Sequence, residues 1–352
     1  MNTRLTALLK IDHPIMSAGM AGVAGPELVA AVSNAGGFGT LGAIGMSPKE
    51  LRQCIQDTRK LLNPGRQLGV DLLLPKIGAN ARATNKDYTG GQLESLVQVM
   101  VDEQIALFVC AVGVPPRWVV DKLHANGILV MNMVGSPKHV KHCVAAGVDV
   151  ICAQGTEAGG HTGDITTMVL LPQVVELCEG TGIVVVGAGG IYNGAGIAAC
   201  LALGAAGAWL GSRFIMTEEA NIQPSAQKAI RGARFGDTLR TEIYTGRPAR
   251  TLKNAYNLSW EKERVTEKHS LLDRGLIPWF QDLKNGVISE ETASPIPLGY
   301  RNLKSPETDR LDIEKSIVPV GQICGALDSV KSASTVVQDL VAELEQSLHR
   351  LR

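Results

Sequence analysis

A glycine-rich stretch, AQGTEAGGHTGD at residues 153–164, holds one titratable ring, His161, among Gly159, Gly160 and Gly163. Glycine has no Cβ to keep a ligand at a distance. Histidine is the side chain most readily set to exchange a proton near neutral pH. The chemistry open to such a loop is proton transfer, or orientation of a polar group, beside a closely bound ligand; the same residues also suit an ordinary turn. Residues 148–152 before it are an apolar, β-branched run that reads as a buried strand, which would set His161 just past the strand's C-terminal end.

Two further glycine clusters suit an anion. One is Gly187-Ala188-Gly189-Gly190-Ile191, leading into a helical segment, and the other is Leu210-Gly211-Ser212-Arg213-Phe214. Small residues free backbone N–H groups, and a helix N-terminus adds to them, so a phosphate can be held without a large net charge. A flavin mononucleotide or a phosphorylated substrate is the expected occupant.

The elements that must position these loops alternate. Short apolar runs at 14–17, 38–41, 68–72, 106–110, 128–133, 148–153, 183–187 and 208–211 read as strands. Helical patterns at 25–34, 48–62, 92–103, 116–126, 137–146, 167–179 and 193–203 lie between them. Pro48, Pro116 and Pro137 stand near helix starts, with Ser47 and Ser136 as N-caps, and Gly127, Gly147 and Gly204 follow helices. Eight β-α steps predict an α/β fold, a closed (β/α)8 TIM barrel. Barrel sites lie at strand C-termini, with phosphate held after strands seven and eight. The spacing Gly19, Gly22, Gly25 after the first strand misses the G-x-G-x-x-G of an open dinucleotide-binding sheet.

Residues 1–216 are thus expected to form the barrel. Residues 217–305, where charge rises and the strand rhythm stops, read as a small, mostly helical cap, with Trp279 and Tyr300 as candidate pocket or cap-core aromatics. Residues 306–352 are expected to return to the barrel. In them Val336, Val337, Leu340, Val341, Leu344 and Leu348 keep helical spacing over 329–351.

Composition narrows the classes. Of 352 residues, 45% are hydrophobic and 4% aromatic, which suits parallel strands under helices better than an aromatic-rich sandwich. Lys+Arg and Asp+Glu balance at 34 each, so no global field favours nucleic acid or an anionic membrane. Seven scattered cysteines without a C-x-x-C pair read as reduced core thiols, and no long apolar run suggests a membrane span or leader. A cytoplasmic protein, monomer or homodimer, is expected. His13, His124, His269 and His349 carry little weight. His139 and His142 share a helix face but lack a third ligand, so no metal site is expected.

With these motifs assembled, the chain resembles the nitronate monooxygenases, FMN-dependent barrel enzymes. The likeness rests on PIMSAGMAG near the N-terminus, GVDLLLP at 69–75, AQGTEAGGHTGD, VVVGAGGI at 184–191, GAWLGSRF at 207–214 and TGRPAR at 245–250. The resemblance implies that Ala18, Gly19 and Met20 lie along the flavin ring, and that Gln154, Gly159, Gly160, Trp209 and Leu210 contact the cofactor. It implies that Gly189, Gly190, Gly211 and Ser212 hold its phosphate. Asp71 falls where relatives often carry Asn, and a carboxylate donates no hydrogen bond unless protonated. Lys138 and Gln322 are further polar candidates.

The activity so implied is oxidation of an alkyl nitronate, or a nitroalkane, by FMN and O2 to a carbonyl compound and nitrite, with His161 as the catalytic residue. A flavin reductase using NADH or NADPH, like the flavin-type enoyl-acyl carrier protein or quinone reductases, shares the barrel and the E-x-G-G-H-x-G motif. A barrel that only binds flavin or phosphate is the third reading.

Overall fold

The computed structural model describes residues 1–78, 81–289, 304, 309 and 311–350. Eleven strands are found among them: β1 (Ile15–Ser17), β2 (Gly39–Gly42), β3 (Leu68–Leu73), β4 (Leu107–Ala111), β5 (Leu129–Val134), β6 (Val150–Gln154), β7 (Gly160–His161), β8 (Val184–Ala188), β9 (Ala208–Leu210), β10 (Thr238–Thr241) and β11 (Ala249–Leu252). Eight of them form one parallel sheet in the order β1-β9-β8-β6-β5-β4-β3-β2. The ends of that sheet meet: the Phe38 amide donates to the Ile15 carbonyl and the Ser17 amide to the Phe38 carbonyl, each at 2.9 Å. The fold is therefore the (β/α)8 barrel that the alternation predicts.

Side-chain alternation divides the core in two. Met16, Phe38, Leu107, Val109, Met131, Val150, Cys152, Val186 and Trp209 pack inside the barrel. Their strand neighbours Ile15, Leu41, Val70, Phe108, Val130, Ile151, Val185 and Leu210 pack outward against the helices. The helix Arg4–Leu9, started by a capping box at Thr3, adds Leu5 and Leu9 to the inner cluster and closes the barrel's N-terminal end.

The helix Pro48–Leu61 begins as expected, with Ser47 and Glu50 in a reciprocal capping box. Ser136 makes no side-chain cap, and Pro137–His139 is a 3-10 turn that precedes the helix Val140–Ala146. The C-terminal helix Ala333–Arg350 buries Val336, Val337, Leu340 and Leu344 against the barrel's outer layer. It lies so close to the helix Gly194–Ala202 that a Cβ at Gly194 would stand 2.1 Å from the Leu344 nitrogen.

Beyond Met216 the chain is not wholly helical. β10 and β11 form an antiparallel hairpin, and β11 pairs in turn with β7, setting Ala249 opposite His161 and Arg250 opposite Gly160. Thr-Leu-Arg-Thr in β10 offers little apolar alternation, so periodicity gave no sign of it. Tyr244, Tyr256, Trp260 and Trp279 make a separate aromatic cluster beside the hairpin.

All seven cysteines are free and buried. Among the described residues no helix is long and apolar enough to cross a membrane, and no cluster of three or more potential metal ligands occurs.

Candidate active site

At the C-terminal ends of the barrel strands lies a cavity of about 1230 Å³. It collects nearly every site residue expected from sequence: Ala18, Gly19 and Met20 after β1, Asp71 from β3, Gln154 and the loop to His161 after β6, Gly189 and Gly190 after β8, and Trp209, Gly211 and Ser212 around β9. Leu210 is the correction. A strand points successive side chains to opposite faces, so Leu210 turns into the barrel–helix layer and not into the cavity. Gln322 is exposed while its neighbours Gly321 and Ile323 face the cavity. Trp279 is buried in the aromatic cluster away from it. Tyr300 lies outside the described residues. Lys138, His139 and His142 are exposed at the rim.

The glycines of the β6–β7 loop have different reasons to be there. A Cβ on Gly159 would come within 2.7 Å of the Val320 carbonyl carbon, so this glycine lets two backbones touch. Gly160 faces open space but has φ +69°, a left-handed conformation that turns the chain into β7. The loop is tied from within. Gln154 Nε2 donates to the His161 carbonyl at 2.6 Å, and the Glu157 carboxylate accepts from the Thr167 amide and hydroxyl at 3.0 Å. Gln154 thus holds the histidine's backbone.

The His161 ring is held from the segment between β10 and β11. Its Nε2 lies 2.9 Å from Thr245 Oγ1, and that hydroxyl is 3.3 Å from the Arg247 carbonyl. A hydroxyl has one proton to give. Given to the Arg247 carbonyl, it leaves Oγ1 to accept from Nε2–H, so that Nδ1 carries the lone pair. Burial first, and the nearby Arg247 charge second, push the ring's pKa down to about 4. His161 is therefore a neutral imidazole at physiological pH.

Asp71 is 4% exposed, and its Oδ1 has no hydrogen-bond partner. Burial without a compensating cation holds its carboxyl well above the usual carboxylate range. Gly19 makes room for it, since a Cβ there would stand 2.3 Å from the Asp71 Cβ. Asn132 of β5 borders the cavity, but its side chain shares the outward parity of Val130 and Val134 and lies toward Cys143. The orphaned Asp71 oxygen calls for a polar partner within the cavity.

On the phosphate side, Gly189 and Gly190 have φ +92° and +74°, conformations that glycine adopts readily. Among the described residues the amides of Gly189, Gly190 and Gly211 donate to no backbone acceptor. Ser212 Oγ already accepts from the Gly321 amide at 2.8 Å. A Cβ on Gly211 would meet only the Ala18 Cβ at 3.6 Å and the Met20 sulfur at 3.8 Å, so the missing side chain leaves a cradle.

Two residues were not singled out from sequence. Thr245 and Arg247 belong to TGRPAR, a motif recognised in sequence without a chemical role; only the β7–β11 pairing brings it to His161.

Comparison with known proteins agrees with this geometry. A nitronate monooxygenase family model matches residues 2–343. A Mycobacterium tuberculosis protein bearing the name of a monooxygenase is 34% identical over 100% of this chain and 99% of its own. A Rhodococcus jostii protein named (3aS,4S,5R,7aS)-5-hydroxy-7a-methyl-1-oxo-octahydro-1H-indene-4-carboxyl-CoA dehydrogenase is 31% identical over 97% and 96%. Among solved structures, Thermotoga maritima FabK has a TM-score of 0.79 at 29% identity, covering 100% of this chain and 99% of that one. Nitroalkane oxidase of Streptomyces ansochromogenes has a TM-score of 0.78 at 29% identity, covering 99% of each chain. This barrel, with a neutral histidine on a glycine wall, belongs to the nitronate monooxygenase family of flavin oxidoreductases.

Proposed function

We propose that this enzyme oxidises alkyl nitronates to carbonyl compounds and nitrite, with FMN as its flavin and O2 as its oxidant. The observation that carries the proposal is the neutral His161 ring on the glycine wall of the cavity, fixed through Nε2 and free at Nδ1. The residues present fit the flavin. The uncommitted amides of Gly189, Gly190 and Gly211, with Ser212, would hold its phosphate. Ala18, Gly19 and Met20 would lie along the ring, and Asp71 would meet its polar edge. Gln154, Gly159, Gly160 and Trp209 would complete the wall. When bound, FMN supplies the electron acceptor and the site where oxygen is reduced.

For a neutral nitroalkane, His161 Nδ1 would take the α-proton, which requires the unprotonated ring. For a preformed nitronate no proton need move, and His161 then orients the substrate. On this reading residues 217–305 form the substrate-facing cap over the 1–216 barrel, and residues 306–352 return to it.

The size of the cavity favours a second reading, a nicotinamide-dependent flavin reductase acting on an acyl thioester. At about 1230 Å³ it exceeds the 300–1,000 Å³ of ordinary small-molecule pockets, more than FMN and a small nitronate require. The CoA-dehydrogenase name of the Rhodococcus relative supports the same reading.

Anaerobic mixing of the flavin-loaded protein separates the two. Loss of flavin absorbance on adding propane-2-nitronate, but not NADH or NADPH, is the outcome expected. Rapid bleaching by a nicotinamide alone favours the reductase.

A further inference from the structure

His161 is uncharged at neutral pH, so an anionic substrate must find its countercharge elsewhere in the cavity. We infer that Arg247 is the residue that binds the substrate's anionic group, and that the site is built for an organic anion in preference to its neutral conjugate acid. The identity of that anion rests on the nitronate reading; the assignment of Arg247 does not.

Arg247 stands on the turn between β10 and β11, two residues after Thr245, and lines the cavity. Its Nε donates to Asn85 Oδ1 at 3.0 Å, and Asn85 is itself anchored by Nδ2 on the Lys76 carbonyl at 2.6 Å. That bond fixes the plane of the guanidinium but uses only one of its five N–H donors. Among the described residues its two terminal nitrogens make no hydrogen bond, and no carboxylate lies within the 4.0 Å of an ion pair.

The other cavity arginines are compensated. Arg240 pairs with Asp164 at 2.6 Å, and Arg82 reaches Glu242 at 3.3 Å and the Gly246 carbonyl at 3.2 Å.

Arg247 is thus a partly buried cation, close enough to Arg82 to be repelled by it, with its fork unused. A charge withdrawn from water is costly without a partner, and a pre-oriented guanidinium matches two oxygens on one atom, as in a nitronate or a carboxylate. Its neighbour His161, neutral and tied through Thr245 to the Arg247 backbone, would then face the carbon next to the bound group.

Isothermal titration of the flavin-loaded protein with butyrate, an inert carboxylate, tests the assignment without turnover. Arg247→Gln is expected to weaken butyrate binding at least tenfold, and Arg247→Lys to recover part of the loss. Nuclear magnetic resonance of the His161 ring should show its pKa rising in Arg247→Gln, since one nearby positive charge has gone. In kinetics, the ratio of kcat/KM for propane-2-nitronate to that for 2-nitropropane should fall at least tenfold in the Gln variant. Butyrate binding that is absent in the wild type, or equal in the wild type and a folded Arg247→Gln, overturns the proposal. A wild type that binds butyrate but oxidises neither nitro compound would instead sink the nitronate reading and leave Arg247 as an anion site.

Discussion

His161 and Thr245 lie 84 residues apart in the chain yet meet at 2.9 Å, the histidine from β7 and the threonine from the segment joining β10 to β11. The contact joins the ring that would handle the proton to the segment that would handle the substrate. Thr245→Val should lower kcat/KM on a neutral nitroalkane about tenfold or more, the usual scale for misplacing a catalytic group. Thr245→Ser should stay within a few-fold. Equal losses in both variants would show that the hydroxyl does not position the ring. His161→Asn should retain flavin, measured by absorbance, and lose about 100-fold or more on the neutral substrate.

The depressed His161 pKa also has a stability consequence. An unfolded histidine protonates near 6.5 and the folded one only near 4, so between those values the unfolded state binds more protons. Stability from this group is complete above about pH 6.5 and declines as the pH falls toward 4. The loss amounts to at most about 3 kcal/mol. Urea titrations at pH 7 and pH 4.5 should show a smaller acid loss in His161→Asn than in the wild type.

Asp71 has the opposite sign. Burial raises its carboxyl's pKa above the 3.8 of the unfolded chain, so stability from this group falls as the pH rises through the interval above that value. Asp71→Asn keeps a hydrogen-bond donor of the same shape and removes this penalty. The variant should bind FMN within a few-fold of the wild type and melt a few degrees higher at pH 7. Asp71→Ala should bind FMN more weakly. Fluorescence titration of the apoprotein with FMN decides the matter, and loss of binding in Asp71→Asn would mean that the wild-type carboxylate is ionised.

Two glycines on the cavity wall should respond in opposite ways to alanine. Gly159→Ala drives a Cβ to 2.7 Å from backbone at Val320, which cannot withdraw cheaply, and should cost about 2 kcal/mol or more. Gly211→Ala meets only side-chain atoms at 3.6 Å and beyond, at φ −99°, and should leave the apoprotein's melting temperature nearly unchanged. Its Cβ would occupy the cradle, so FMN affinity should drop about tenfold or more by loss of close approach. Undiminished FMN affinity in Gly211→Ala would remove this loop from the phosphate site.

Continuous segments were legible from sequence because their signals are local. β6, the glycine wall and His161 follow one another within 15 residues, and the buried strands announce themselves as β-branched runs. Leu210, which the resemblance implies contacts the cofactor, sits between Trp209 and Gly211, which both face the cavity; strand alternation sends its side chain the other way. Arg247 and Thr245 were visible as part of a motif but had no chemistry until β11 paired with β7. A two-residue strand such as Gly160–His161 has no periodicity to read.

The pairing of Ala249 with His161 makes the hairpin and the histidine parts of a single mechanical unit. A one-residue insertion or deletion between Thr245 and Ala249 would change the span from the strand pair to the hydroxyl that holds the imidazole, and a register slip of β11 would turn its own side chains to the opposite face. Divergence within 238–252 is therefore constrained in length: side chains can be exchanged to suit new substrates, but altering the reach from Ala249 back to Thr245 costs the base its aim.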